Sequence, residues 1–278
     1  MPQPSYVHGA GATPLIGVTI GEYFDQIAER YAEQDALIVR HQQVRWSWRE
    51  LKQRVDDFAA GLLALGLEHG ERIGIWSPNN AEWVVSQFAT AKAGLILVNI
   101  NPAYRVTELE YALNKARCKA LISAVRFKSS DYLAMLDELA PELAAASPGR
   151  LCSAQLPDLR LVITIGGNQV PGAVGFDRVY DLAGEAGRER LAALAGLLQF
   201  DDPINIQFTS GTIRVSKGRH TQPPQHPEQR VLPWRGNEIH RARPSMHSGT
   251  ALSLLWHGDR QSWLPDPRRG HGVSERRL

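Results

Sequence analysis

The chain is short of cysteine and has no long apolar run, and each shortage excludes a class of protein. Two cysteines, Cys118 and Cys152, cannot by themselves make a zinc site. They fall in different expected elements, which suits the thiols of a reduced, cytoplasmic protein better than a disulfide. No window is apolar and uncharged for long enough to cross a membrane. The N-terminal stretch "MPQPSYVHGAGATPLIG" lacks a basic start followed by an apolar core, so no signal peptide is expected. What is present is ordinary for a soluble globular chain: 43% hydrophobic and 22% charged residues over 278 positions. That length holds one large domain or two small ones.

The net charge of +2 hides an asymmetry. Residues 213–278 carry twelve Lys and Arg against five Asp and Glu, a net of +7, which leaves −5 for the rest. They also hold six of the nine His, seven of the seventeen Pro and three of the seven Trp. A shift this abrupt predicts a boundary at Thr212.

Before that boundary the hydrophobic pattern is regular. Tyr23, Phe24, Ile27, Ala28 and Tyr31 recur at helical spacing. Ala36 to Val39 and Val44 to Ser47 read as a hairpin around "RHQQ". Ser47 and Glu50 form a capping box for a helix that buries Leu51, Val55, Phe58, Ala59, Leu62 and Leu63. Gly66 and Gly70 end it ahead of the strand "RIGIW". Asn79 with Glu82 is expected to cap the next helix, Ala81 to Ala93, and "LILVNI" follows as a buried strand. Thr107 is expected to open another helix, followed by "KALISA". The Ala-rich stretch from Leu133 to Ala146 reads as one or two surface helices. Helices and apolar strands alternate through "LRLVITIG" to "INIQF", the pattern of an α/β domain with a largely parallel sheet. His8, His41 and His69 are isolated and read as surface residues; Trp46, Trp48, Trp76 and Trp83 read as core aromatics. Tyr104 and Arg105 follow Pro102 in a loop that reads either as a structured turn or as one that faces substrate or a further domain. After Thr212 no period survives. "TQPPQHPEQRVLPWRG" and "LPDPRRGHG" are too rich in Pro and Gly for a helix or a central strand, which predicts an irregular, disordered tail.

The chemistry gathers at the boundary, in "INIQFTSGTIRVSKG". Thr209, Ser210, Gly211 and Thr212 follow a buried strand. Backbone N–H groups at such a turn converge on one concavity, the hydroxyls add donors, and glycine lets the backbone approach a phosphate. Lys217 supplies a positive charge. Taken alone, the tetrapeptide is equally an ordinary polar turn.

The stretch resembles the phosphate-binding motif of the adenylate-forming (AMP-binding) superfamily, which includes acyl-CoA synthetases and reads Thr-Ser-Gly-Thr-Thr/Ser-Gly-x-Pro-Lys-Gly. The match holds at Thr209, Ser210, Gly211, Thr212, Lys217 and Gly218 and departs at Ile213, Arg214 and Ser216. The resemblance extends upstream through "SWRELKQRVDDFAAGLLALGLEHGERIGIWSPNNAEWV" to "NINPAYRVTELEYAL", which is similar to the fatty-acid and medium-chain acyl-CoA synthetase branch. It implies a two-step reaction: a fatty-acid carboxylate attacks the α-phosphate of ATP to give acyl-adenylate and pyrophosphate, then the thiol of coenzyme A displaces AMP, with Mg²⁺ neutralising the phosphates.

A resemblance that fails within one loop suggests a shifted reading frame, and codon degeneracy tests the idea. Read one base later, Met246 followed by His247 must give Cys, and Trp234 and Trp256 must each give Gly. With synonymous codons chosen elsewhere, position 213 onward reads Ser-Gly-Phe-Pro-Lys-Gly, completing the motif, and positions 245 to 257 read Leu-Cys-Ile-Pro-Val-Pro-Leu-Tyr-His-Cys-Phe-Gly-Met. Lys217-Gly218 survives because AAA-GG encodes the pair in either frame. The expectation is therefore an N-terminal arm (1–20), a partial AMP-binding domain (21–212) and an out-of-frame tail (213–278). The family's adenine segment, ribose-binding Asp and mobile-domain lysine are not found in the chain, so it is expected to be an inactive fragment whose Leu161, Ile163, Ile204 and Ile206 have lost their cover. The alternative is a stand-alone module that binds nucleotide at 209–212, or nucleic acid through a genuine basic tail.

Overall fold

In the computed structural model, residues 16–166, 170–208 and the backbone of 229–233 are described. Thr19 opens α1 (Ile20–Arg30), its hydroxyl accepting from Glu22 N–H. The expected hairpin follows: β1 (Asp35–Val39) and β2 (Val44–Ser47) pair antiparallel across a short 3-10 turn that ends with Gln43 at φ 56°. The Ser47–Glu50 capping box starts α2 (Trp48–Ala64), which buries all six apolar residues predicted for it. Gly66 and Gly70 then take positive φ, as the exit from that helix requires.

β3 (Arg72–Trp76), α3 (Ala81–Lys92), β4 (Ile96–Asn99), α4 (Val106–Ala116) and β5 (Ala120–Ala124) alternate next. A two-residue hairpin, β6 (Arg126–Phe127) with β7 (Ser130–Asp131), leads into α5 (Tyr132–Leu139). Then come β8 (Leu161–Ile165), β9 (Val174–Gly175), α6 (Phe176–Asp181), α7 (Glu185–Ala195), β10 (Pro203–Phe208) and β11 (Gln229–Pro233). The main sheet has the order β11-β10-β4-β3-β5-β8-β9, parallel throughout except for antiparallel β11. β11 lies at the edge, where proline is tolerated, inside the stretch whose Pro and Gly content predicts an irregular tail.

Chain order explains the layers. From β3 the chain steps to β4 on one side, crosses back to β5 and β8 on the other, and returns to β10 beside β4. Right-handed crossovers in opposite directions put α3 and α4 on opposite faces. On the α4 and α5 face, Val98, Ile100, Leu121, Val162 and Ile206 form one apolar cluster with Leu109, Leu113, Leu136 and Leu139. Trp76 stacks on Tyr132 within it, ring centroids 3.6 Å apart and planes 7° from parallel. Across the sheet α2 and α6 approach so closely that a Cβ on Gly61 would lie 2.0 Å from the Val179 carbonyl oxygen, so only glycine fits. Lys92 of α3 bonds Asp25 of α1 at 2.7 Å and also pairs with Asp56 of α2, which ties the three helices together.

Several expectations need correction. The cap of α3 is Asn80, whose Oδ1 accepts from Trp83 N–H at 2.8 Å; Asn79 precedes it, and Glu82 instead accepts from Gln42 Nε2. The cap of α4 is Arg105, not Thr107, with Glu108 bonding back to the Arg105 N–H. The stretch read as one or two surface helices is α5, which buries Tyr132, Met135, Leu136 and Leu139 against the sheet, followed by a 3-10 turn over Pro141–Ala145 that buries Leu143. Leu161, Ile163 and Ile206 have not lost their cover: they are at most 4% exposed, because α6 packs on β8 and Ile206 joins the apolar cluster under α4 and α5. Ile204 is half-buried. Trp76 and Trp83 are core residues as expected, whereas Trp46 and Trp48 are half-buried, with the Arg54 guanidinium 4.2 Å above the Trp46 ring. His41 and His69 are exposed; His8 lies outside the described residues.

Candidate nucleotide site

In doubly wound sheets ligands bind beyond the carboxyl ends of the strands, where the strand order reverses. Here that place is the edge formed by the ends of β3, β4 and β10. Asn205, Ile206 and Gln207 of β10 register with Leu97, Val98 and Asn99 of β4, so the chain reaches Phe208 level with the end of β4. Thr209, Ser210, Gly211, Thr212 and Lys217 come next in the sequence and lie outside the described residues. The structure thus places the strand that precedes the run.

The strand is pinned by an amide pair no periodicity revealed. Gln87 of α3 and Asn205 exchange two hydrogen bonds of 3.1 Å, and Asn205 Nδ2 also reaches the Leu97 carbonyl at 3.4 Å. Both residues are buried, so each satisfies a group that would be costly alone.

The N-terminus of α3, at the same edge, is occupied by its own chain. Ala81 N–H donates to Gln42 Oε1 at 2.7 Å, and Asn80 Nδ2 donates to Ser77 Oγ at 2.8 Å. Its Ala81 and Trp83 N–H groups are thus spent on Gln42 and Asn80.

Other polar atoms remain unpaired. Asn99, at the end of β4, is 6% exposed and neither side-chain amide atom has a hydrogen-bond partner. On the opposite face, Trp76 Nε1 and Thr164 Oγ1 are likewise buried and unpartnered. Tyr132 Oη donates to the Pro102 carbonyl at 2.6 Å, and burial raises its phenol above the ordinary value. Tyr104 packs on the apolar cluster, and Arg105 reaches Ser130 Oγ at 3.1 Å, so the turn is a structural one.

The cysteines are free: Cys118 is buried, its thiol pushed up to about 12 by burial, and Cys152 is exposed. Among the described residues there is no group of three or more His, Cys, Asp or Glu side chains fit to hold a metal, so nothing described provides a protein-built Mg²⁺ site. Nor is any described helix long and apolar enough to cross a membrane.

Fold and site define a doubly wound α/β protein with a phosphate-loop sequence at the carboxyl edge of its sheet. The model of the AMP-binding enzyme family matches residues 24–218, and the chain belongs to that family. It is 45% identical over 217 residues to the mitochondrial medium-chain acyl-CoA ligase ACSF2 of Bos taurus, covering 77% of this chain and 35% of that one. It is 34% identical over 204 residues to the putative acyl-CoA synthetase YngI of Bacillus subtilis, 73% of this chain and 37% of that one. The chain therefore spans about a third of the length of these relatives. The fold recurs in an anthranilate CoA ligase solved with anthranoyl-AMP, with a TM-score of 0.58 and 21% identity over 78% of this chain and 35% of the other. It also recurs in the N-terminal domain of FACL13 of Mycobacterium tuberculosis, with a TM-score of 0.54 and 20% identity over 80% and 45%.

Proposed function

We propose that the chain is the N-terminal part of an ATP-dependent acyl-CoA ligase that joins a fatty acid to coenzyme A through an acyl-adenylate. The observation that carries this is the 45% identity over 217 residues to a medium-chain ligase, together with the Thr209–Thr212 run at the end of β10. Catalysis of this type rests on positioning and on neutralising phosphate charge. The chain's share would be the main-chain donors and hydroxyls of that run, with Mg²⁺ arriving on the nucleotide. The cytoplasm is part of the same proposal, from the free thiols; the ACSF2 relatives are named as mitochondrial.

We further propose that the loop's second half is read out of frame. The family match ends at residue 218, six residues past the predicted break and on the Lys-Gly pair that either frame encodes. Lys217 would then keep its identity but not its setting, because the Gly and Pro of the motif are replaced around it. The adenine, ribose and mobile-lysine segments are missing from the 278 residues, so the chain as it stands is expected not to form acyl-adenylate. The test compares two proteins: the 278-residue chain, and the product of the same gene with the frame shifted by one base after codon 212. Release of pyrophosphate from ATP dependent on a medium-chain fatty acid is expected only from the second. Activity in the first, or immediate stop codons in the shifted frame, would sink the proposal.

A further inference from the structure

We draw no further inference here: the strongest candidate, the cleft between α1 and α7 with Glu22 and Glu29 along one wall and Leu191 and Leu198 along the other, is an acidic and apolar face for which nothing in the structure shows what covers it.

Discussion

The two faces of the sheet are made by one set of strands and closed by different chemistry. The face under α4 and α5 is sealed by aliphatic side chains and one aromatic stack; its hold on the sheet is apolar area. The face under α2 and α3 adds buried polar groups near the carboxyl edge: Gln87, Asn205 and Asn99. A parallel sheet covered on both sides has no need of polar residues inside. Ser123 and Thr164 are buried on the other face as well, so what separates the two faces is the Gln87–Asn205 amide pair, which locks β10 to α3. Substitutions on each face, and one on the rim between them, measure that separation.

The largest effect is expected on the apolar face. Trp76→Ala removes the partner of the Tyr132 ring at a fully buried position and should cost about 3–5 kcal/mol in equilibrium urea unfolding. A cost below about 1 kcal/mol would mean that the stack is not what closes this face.

On the polar face the expected pattern is one of pairing. Gln87→Leu leaves Asn205 buried without its two 3.1 Å bonds and should cost about 1–3 kcal/mol. Gln87→Leu with Asn205→Leu removes both partners and should restore most of that loss. A double variant as unstable as the sum of the singles would show that the two amides act separately, against the locking of β10 to α3 described above.

Much of this arrangement was legible as periodicity. The hairpin, the Ser47–Glu50 box and the buried stripe of α2 follow from alternation and helical spacing. The cap of α3 was misread because Asn79 and Asn80 are adjacent and chemically identical; only the extended backbone of Asn80, which aims its Oδ1 at Trp83 N–H, separates them. Tyr132, Met135, Leu136 and Leu139 already follow the i, i+3, i+4, i+7 spacing of a buried face, but alanines around them masked it. The cover over Leu161 and Ile163 depends on α6 packing back onto β8, which is a long-range property. The motif run was legible as a sequence match, and its residues lie outside the described ones. The burial of Asn99 was not legible, because one polar residue inside an apolar strand carries no period, and its surroundings depend on which strand lies beside it.

The rim supplies the smallest and most pH-dependent effect. Asp158, in the loop before β8, accepts from Lys119 Nζ at 2.5 Å and from Arg117 Nε at 3.2 Å, joining the end of α4 to the start of β5. The hydrogen bond from Lys119 is the main reason its carboxyl sits below the ordinary 3.8, burial pulls the other way, and Arg117 adds to the lowering. A carboxyl depressed in the folded state favours folding fully above its unfolded value, and that contribution fades as pH falls through the folded one. Asp158→Asn should therefore lower stability by a constant amount at neutral pH and by progressively less below about pH 4. With Arg117 68% exposed and Asp158 22% exposed, solvent screening keeps the neutral-pH difference below about 1 kcal/mol. Urea midpoints of the two proteins from pH 7 to pH 3 test it. Curves that converge toward acid support the rim assignment, whereas a gap that stays constant as the pH falls would mean that Asp158 is held by its packing and not by its charge.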